Sequence, residues 1–327
     1  MSHADALLPR YPRPERQRPE RATPGKNRAW SWLGPGLLLA SAIASAACAK
    51  KPAPAPAEHA PSSDAGAAAG ASTAPKDTLL HGIALGGLEE GKRNLFFRVV
   101  GREPSACGEG HSLLHSVELG SCRASFYAAR YVARLADLGY SEAEITDKLE
   151  QRFRAPRVPY IDVSQAPREG SPSGRVTIVE FADYECDHCK KAQALIRPLL
   201  AEYSDVTLYF KHHPWSSHIN ARFAAQGAAA AQNQGMFWQF SDKVWENSDH
   251  LAPAVLEAIA KEIGLDFSRW YADVGSDDVR AHVQRDRAEG GSLQIHSTPA
   301  LFINGRRYSD GLDLPSLKDW IDEELGR

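Results

Sequence analysis

Apolar residues are laid out along this chain in several different patterns, and the changes between them divide it into segments. Trp30 to Ala47 is apolar throughout and ends in small residues. Ala49 to Lys76 is almost entirely Ala, Pro, Ser, Gly and Lys, a composition that cannot bury enough surface to fold and predicts a tether. Beyond Leu79 the pattern becomes helical. Phe126, Ala129, Val132, Ala133 and Ala136 share one helical stripe, Leu135 widens it, and Gly139 ends it. Ser141 and Glu144 form a capping box for a second helix, with Ile145, Leu149 and Phe153 at four-residue steps, so a helical hairpin is expected.

Arg175 to Ala182 reads as a buried strand, and a helix follows to about Tyr203. Val206 to Lys211 is a second strand. Ala221–Ala231, Met236–Trp245, Ala254–Ile263 and Asp277–Ala288 show no strand alternation and are rich in helix formers, which predicts four helices. Asn304-Gly305 is a two-residue turn into Arg306–Tyr308, and Leu314–Leu325 closes the chain as a helix. The fold class expected is α/β. The divisions are an export signal over 1–47, a disordered linker over 48–77, a helical module over 78–157 and an α/β domain over 158–327, with a helical insert at about 214–290.

The chain has 327 residues, 43% hydrophobic and 24% charged, with a net charge of -3, which suits one or two globular domains. It excludes a polytopic membrane protein, a collagen and a wholly disordered chain. The near-neutral balance gives no basic face for nucleic acid, so no nucleic-acid partner is expected. Charge does change the reading of the N-terminus. Residues 1–29 carry seven Arg and Lys against three acids, and this basic stretch before the apolar run has the layout of an export signal. Ser45-Ala46-Ala47-Cys48 resembles the lipobox of bacterial lipoproteins, with Ser45 where that motif usually has Leu. The resemblance implies a lipid-bearing Cys48 and a membrane anchor. Cleavage by ordinary signal peptidase near Ala44-Ser45-Ala46, or an uncleaved signal anchor, are the alternatives. All three place the remainder outside the cytoplasm, on the periplasmic side.

Five cysteines are too few to build a disulfide miniprotein, so their positions carry the information. Cys107 and Cys122 flank a His-containing loop ahead of the hairpin, and in an oxidising compartment a structural disulfide is the simplest reading, worth about 3 kcal/mol by loop closure. A second redox pair, free thiols and pairing to another chain are the alternatives. Cys186-Asp187-His188-Cys189 follows the first strand and opens a helix. An attacking sulfur must be a thiolate, and free amides at a helix N-terminus stabilise one on Cys186. Two intervening residues let Cys189 reach back and close a disulfide. His188 adds a polar, potentially cationic neighbour, whereas a carboxylate at Asp187 opposes thiolate formation.

Over about residues 158–326 the sequence resembles the DsbA-like thioredoxin-fold family. The resemblance rests on the CxxC after a strand, on Glu180 six positions before Cys186, and on Ser297-Thr298-Pro299-Ala300-Leu301-Phe302-Ile303-Asn304-Gly305. It implies a thioredoxin fold with an inserted helical domain, here preceded by the helical hairpin module and the disordered linker. It further implies that Glu180 is a buried acid assisting proton transfer at Cys189, that Pro299 is a cis proline with Thr298 before it, and that substrate backbone pairs at that loop. Asp187 departs from the Pro common in the family's strong oxidants and argues for a milder one.

The function expected is an extracytoplasmic thiol-disulfide oxidoreductase needing no metal or organic cofactor, acting on exported proteins with thiols or disulfides, with an unidentified membrane redox partner. Donation of disulfides is favoured over reduction or isomerisation. A non-catalytic or metal-delivery lipoprotein module is the competing class, since His212, His213 and His218 lie close enough in sequence to complete a zinc site with the cysteines. The simpler reading of those histidines is as loop residues, and of Trp238, Trp245, Trp270 and Trp320 as packing groups.

Overall fold

The computed structural model describes residues 79–326 except His81. The export signal, Cys48 and the linker lie outside the described residues, so the expectations attached to them are not addressed by the structure. A short antiparallel pair, β1 (Leu79–Leu80) and β2 (Ile83–Ala84), precedes four helices: α1 (Glu90–Arg102), α2 (Leu113–Leu119), α3 (Arg123–Asp137) and α4 (Glu142–Leu149). The hairpin expected from periodicity is α3–α4. Its turn is made by Gly139 at φ +86°, where the left-handed backbone lets Tyr140 N–H return to the Leu135 carbonyl at 3.1 Å. The Ser141–Glu144 capping box is formed, with the Ser141 N–H donating to the Glu144 carboxylate at 2.8 Å.

Two helices of this module were not expected from sequence. The stretch between Cys107 and Cys122, read as a loop, contains α2, started by the Ser112 hydroxyl and stopped by left-handed Gly120. At seven residues it is too short to display a period. Phe96, Val100, Val132, Leu135 and Ile145 build the module's core.

The second half holds a five-stranded sheet in the order β3-β5-β4-β6-β7. Its strands are β3 (Arg168–Gly170), β4 (Val176–Ala182), β5 (Val206–His212), β6 (Ala300–Ile303) and β7 (Arg306–Arg307). Only β4 and β5 are parallel, joined by α5 (Asp187–Glu202), and both are buried on two faces, which explains why apolar residues dominate them without strict alternation. β6 runs antiparallel to β4, with Glu180 opposite Leu301 and Phe181 opposite Ala300. Between β5 and β6 lie α6 (Ala221–Gln232), α7 (Phe237–Glu246), α8 (Pro253–Glu262), α9 (Phe267–Val274) and α10 (Asp277–Ser292), and α11 (Leu314–Leu325) ends the chain. This is a thioredoxin fold carrying an insertion of helices.

The insertion has one more helix than the sequence pattern indicated. α9 is only eight residues long, and its place is fixed by the fully buried Trp270, whose indole N–H donates to the Gly227 carbonyl at 2.8 Å. A Cβ at Gly227 would sit 3.0 Å from Phe240 and 3.1 Å from Trp270, so α6 approaches these rings closely only with glycine there. Trp320 is fully buried in a separate cluster against the sheet, Trp245 is nearly buried in the cluster that holds Trp270, and Trp238 is half-buried, all within hydrophobic packing.

After α4 a π-helical turn (Glu150–Arg154) carries Arg152 into the interior against α11. The guanidinium has no exposed surface and meets Asp310 at 2.7 Å and Asp319 and Glu323 at 2.9 Å each, while stacking near Tyr131 and Trp320. Arg306 joins the same cluster, reaching Glu323 at 2.6 Å and the Arg152 carbonyl at 3.0 Å. The N-terminal helices are therefore seated on the sheet domain by a buried ionic knot as well as by apolar surface. Removing one partner from such a group leaves buried charge uncompensated. Arg152→Ala should cost roughly 3 kcal/mol or more of unfolding free energy, measured by urea denaturation; a cost under about 1 kcal/mol would mean that the knot is solvated and not structural.

Candidate active site

β4 delivers the chain to a short loop, and Cys186 occupies the N-cap of α5 with its sulfur accepting the Cys189 N–H at 3.4 Å. Cys186 is half-buried and Cys189 fully buried, and both are free thiols. The loop before β6 lies against them. The Thr298–Pro299 peptide is cis, and the Cys186 thiol donates to the Thr298 carbonyl at 3.3 Å.

These contacts separate the two sulfurs electrically. Hydrogen bonding from the Cys189 thiol, aided by the Thr298 hydroxyl and the N–H groups of Cys189 and His188, outweighs burial and brings Cys186 down to about 5. Cys189 goes the other way: burial, its partnership with Cys186 and the nearby Glu180 carboxyl push its thiol far up. His188 acts on Cys186 through its main chain, and the residues His188 and Asp187 are both exposed.

Glu180 projects from β4 with no exposed surface, and burial raises its carboxyl to about 8 against the opposing hydrogen bond from Gln193. The Gln193 amide, one turn beyond Cys189 on α5, donates to Glu180 Oε2, while Glu180 Oε1 makes no hydrogen bond. Gln193 was not singled out from the sequence. A buried polar residue on the inner face of an otherwise apolar helix is the signal that marks it.

Three further residues missed by sequence reasoning hold the proline loop and the cysteine loop together. The Trp215 indole N–H donates to the Thr298 hydroxyl at 3.0 Å, which leaves the Thr298 O–H free to point at Cys186. Asp183, almost fully buried, accepts from Trp215 N at 2.7 Å, Glu185 N at 2.8 Å and the His218 ring at 2.8 Å. Glu185 accepts from Asn220 N and Ala221 N, each at 2.8 Å, and so caps α6. The two acids just before the motif thus tie the segment after β5 to the cysteine loop.

This arrangement disperses the histidines of the zinc alternative. His218 is engaged by Asp183, His212 is packed among Phe210, Phe237 and His282, and His213 lies against Phe181. Burial lowers the basicity of His212 and His213. Among the described residues no group of three or more His, Cys, Asp or Glu side chains is gathered to hold a metal ion. Cys107 and Cys122 are joined as a disulfide in the helical module.

The fold and the site together define a thioredoxin-fold protein with a CxxC pair at a helix N-terminus facing a cis-proline loop. In agreement, the thioredoxin family model matches residues 163–323. Among curated proteins the chain is 31% identical over 207 residues to the Na(+)/H(+) antiporter NhaA 3 of Salinispora tropica, a match covering 61% of this chain and 30% of that protein. It is 34% identical over 170 residues to the Na(+)/H(+) antiporter NhaA of Herminiimonas arsenicoxydans, covering 52% and 27%. The chain therefore spans less than a third of the length of these relatives, and among the described residues no helix is long and apolar enough to cross a membrane. Similar solved structures include a thioredoxin-like oxidoreductase from Silicibacter pomeroyi, 26% identical with a TM-score of 0.45, covering 54% of this chain and 98% of that one. Another is BdbD from Bacillus subtilis, 22% identical with a TM-score of 0.47, covering 51% and 96%.

Two outcomes follow from the geometry. Thr298→Val removes a hydrogen bond to a charged sulfur and should raise the pKa of Cys186 by roughly one to two, with Trp215→Phe moving it the same way by less; an unchanged thiolate absorbance titration in both variants would contradict the assigned chain of donors. For Glu180 the folded value lies above the ordinary 4.5, so its contribution to stability is complete below 4.5 and is lost as pH climbs through about 8. Glu180→Gln should accordingly gain on the parent as pH rises through that window, by roughly 3 kcal/mol at neutrality, read from paired denaturation curves; a constant difference at all pH values would show that Glu180 does not titrate as described.

Proposed function

We propose that this chain is an extracytoplasmic thiol-disulfide oxidoreductase that donates its Cys186–Cys189 disulfide to exported proteins. The observation that carries the reading is the inequality of the two sulfurs. An acidic, half-exposed Cys186 beside a buried Cys189 of high pKa gives one sulfur that meets substrate and one that resolves.

In the oxidised enzyme a substrate thiolate attacks Cys186, the sulfur–sulfur bond breaks, and Cys189 leaves as a thiolate that must be protonated. Glu180 suits that task. Because Oε2 accepts from Gln193, the proton of the neutral acid resides on Oε1, which has no other partner. A second substrate thiolate then attacks its own sulfur in the mixed disulfide and releases Cys186 as a stabilised thiolate. The substrate has lost two electrons and the enzyme pair has gained them. Thr298 and Pro299 border Cys186 and offer main-chain groups with which an extended substrate segment pairs.

Direction is favoured by the same low Cys186 value, because a stabilised thiolate favours the reduced enzyme and makes its disulfide the more oxidising. Asp187 is turned out to solvent, which lessens the opposition expected of it. Reduction or isomerisation is the second reading and would need an electron donor in place of a membrane reoxidant. The basic and apolar N-terminus, with Cys48 as the lipid-bearing residue, supports attachment on the periplasmic side of a membrane.

In Cys189→Ala charged at Cys186 with oxidised glutathione, a client thiolate displaces glutathione and no second enzyme sulfur can release the client, so exported proteins should accumulate on Cys186 as adducts released by dithiothreitol. Absence of adducts with any reduced client, while the folded variant still forms a mixed disulfide with glutathione, would remove the proposed activity on proteins.

A further inference from the structure

The Cys107–Cys122 disulfide is built unequally. Cys107 lies exposed in the turn before α2, followed by Gly108 and Gly110, both with positive φ and open space where a Cβ would be. Cys122 is only 5% exposed and is the N-cap of the fifteen-residue α3, its sulfur accepting the Ser125 N–H at 3.3 Å. Cys186 stands in the same relation to α5, with the N–H three residues on at 3.4 Å. One residue of the module's disulfide is therefore exposed, while the sulfur of the other already sits where a helix stabilises a thiolate.

We infer that this disulfide is a second thiol-exchange site, attacked at Cys107 by thiols of other molecules, with Cys122 as the leaving sulfur. The first step forms a bond between the incoming sulfur and Cys107 and breaks the Cys107–Cys122 bond, its electron pair remaining on Cys122 as a thiolate facing Ser125 N–H. A second thiol, or the second thiol of the same dithiol, then attacks the incoming sulfur and releases Cys107. The attacking thiols become a disulfide, and the module's pair takes up two electrons and two protons. The co-reactant is thus a small thiol or a dithiol protein.

The surroundings favour a reversible opening. Glu109 accepts hydroxyls of Ser105, Ser116 and Ser121 at 2.9, 2.7 and 2.9 Å, and the Cys107 N–H donates to Ser105 Oγ at 3.2 Å. With the Ala106 N–H donating to Ser125 Oγ at 3.1 Å, these bonds hold the turn to α2 and to the start of α3 independently of the sulfurs. The co-reactant comes from another molecule, because Arg123, next to Cys122, donates to the Gly326 carbonyl beyond α11. Glu324 in that same terminal turn meets Asn304 at 2.9 Å, at the end of β6 opposite the Thr298 loop and Cys186. The inference does not rest on the function proposed for Cys186 and Cys189.

The test uses the oxidised full chain with Cys186→Ser and Cys189→Ser, incubated folded with reduced glutathione, quenched with acid, alkylated and mapped by peptide mass spectrometry. Glutathione should be found on Cys107 in about tenfold excess over Cys122, and oxidised glutathione should close the pair again with helical circular dichroism unchanged. A pair that opens only in denaturant, or an adduct chiefly on Cys122, overturns the inference. The same peptides mapped in the unsubstituted chain give the answer if the double variant does not fold.

Discussion

The interaction on which the site depends is the stabilisation of one sulfur by groups that the fold has already oriented. A thiolate at the N-cap of α5 meets the Cys189 N–H in the first turn of the helix, together with the Cys189 thiol and the Thr298 hydroxyl. None of these donors has to reorganise when charge appears on Cys186, so the ionised state is stabilised at little cost. Everything else near the site can be understood as holding these donors in place: β4 sets the start of α5, β6 sets the proline loop, and Trp215 fixes the direction of the Thr298 hydroxyl.

The same constraint explains why acids surround the motif without raising the pKa of Cys186 appreciably. Asp183 and Glu185 each have their oxygens taken up by main-chain N–H groups or by His218, which spends their charge on loop and helix ends. Glu180 is kept largely neutral by burial and stays close to Cys189, the sulfur that requires a proton when it leaves. Acidic residues of one type thus serve as scaffold or as proton source according to how completely their oxygens are occupied.

The helical module is held by a different balance. A single buried guanidinium among three carboxylates gives it a fixed seat on α11, while the serine and Glu109 network orders the turn at Cys107. Charged groups at such a contact specify one arrangement, because any displaced arrangement would strand a charge away from water. Helix ends recur as the device for placing sulfur: Cys122 and Cys186 are both N-caps, one in the helical module and one in the sheet domain.

Sequence alone determined the features that depend on local spacing. Two residues between cysteines, a capping box at Ser141 and Glu144, a largely apolar strand before the motif and an Asn-Gly turn all act within a few positions, so their physics is readable without coordinates. Short elements escaped, since α2, α9 and β3 are too brief to show a period and are held by caps, one tryptophan or pairing to β5. Tertiary structure decided which distant groups meet: Trp215 and Thr298 are separated by 83 positions, Gln193 and Glu180 face each other from helix and strand, and Arg152 finds its carboxylates from 158 positions onward. Hydrogen bonds and burial depend on position in space, and only folding turns those separations into contact.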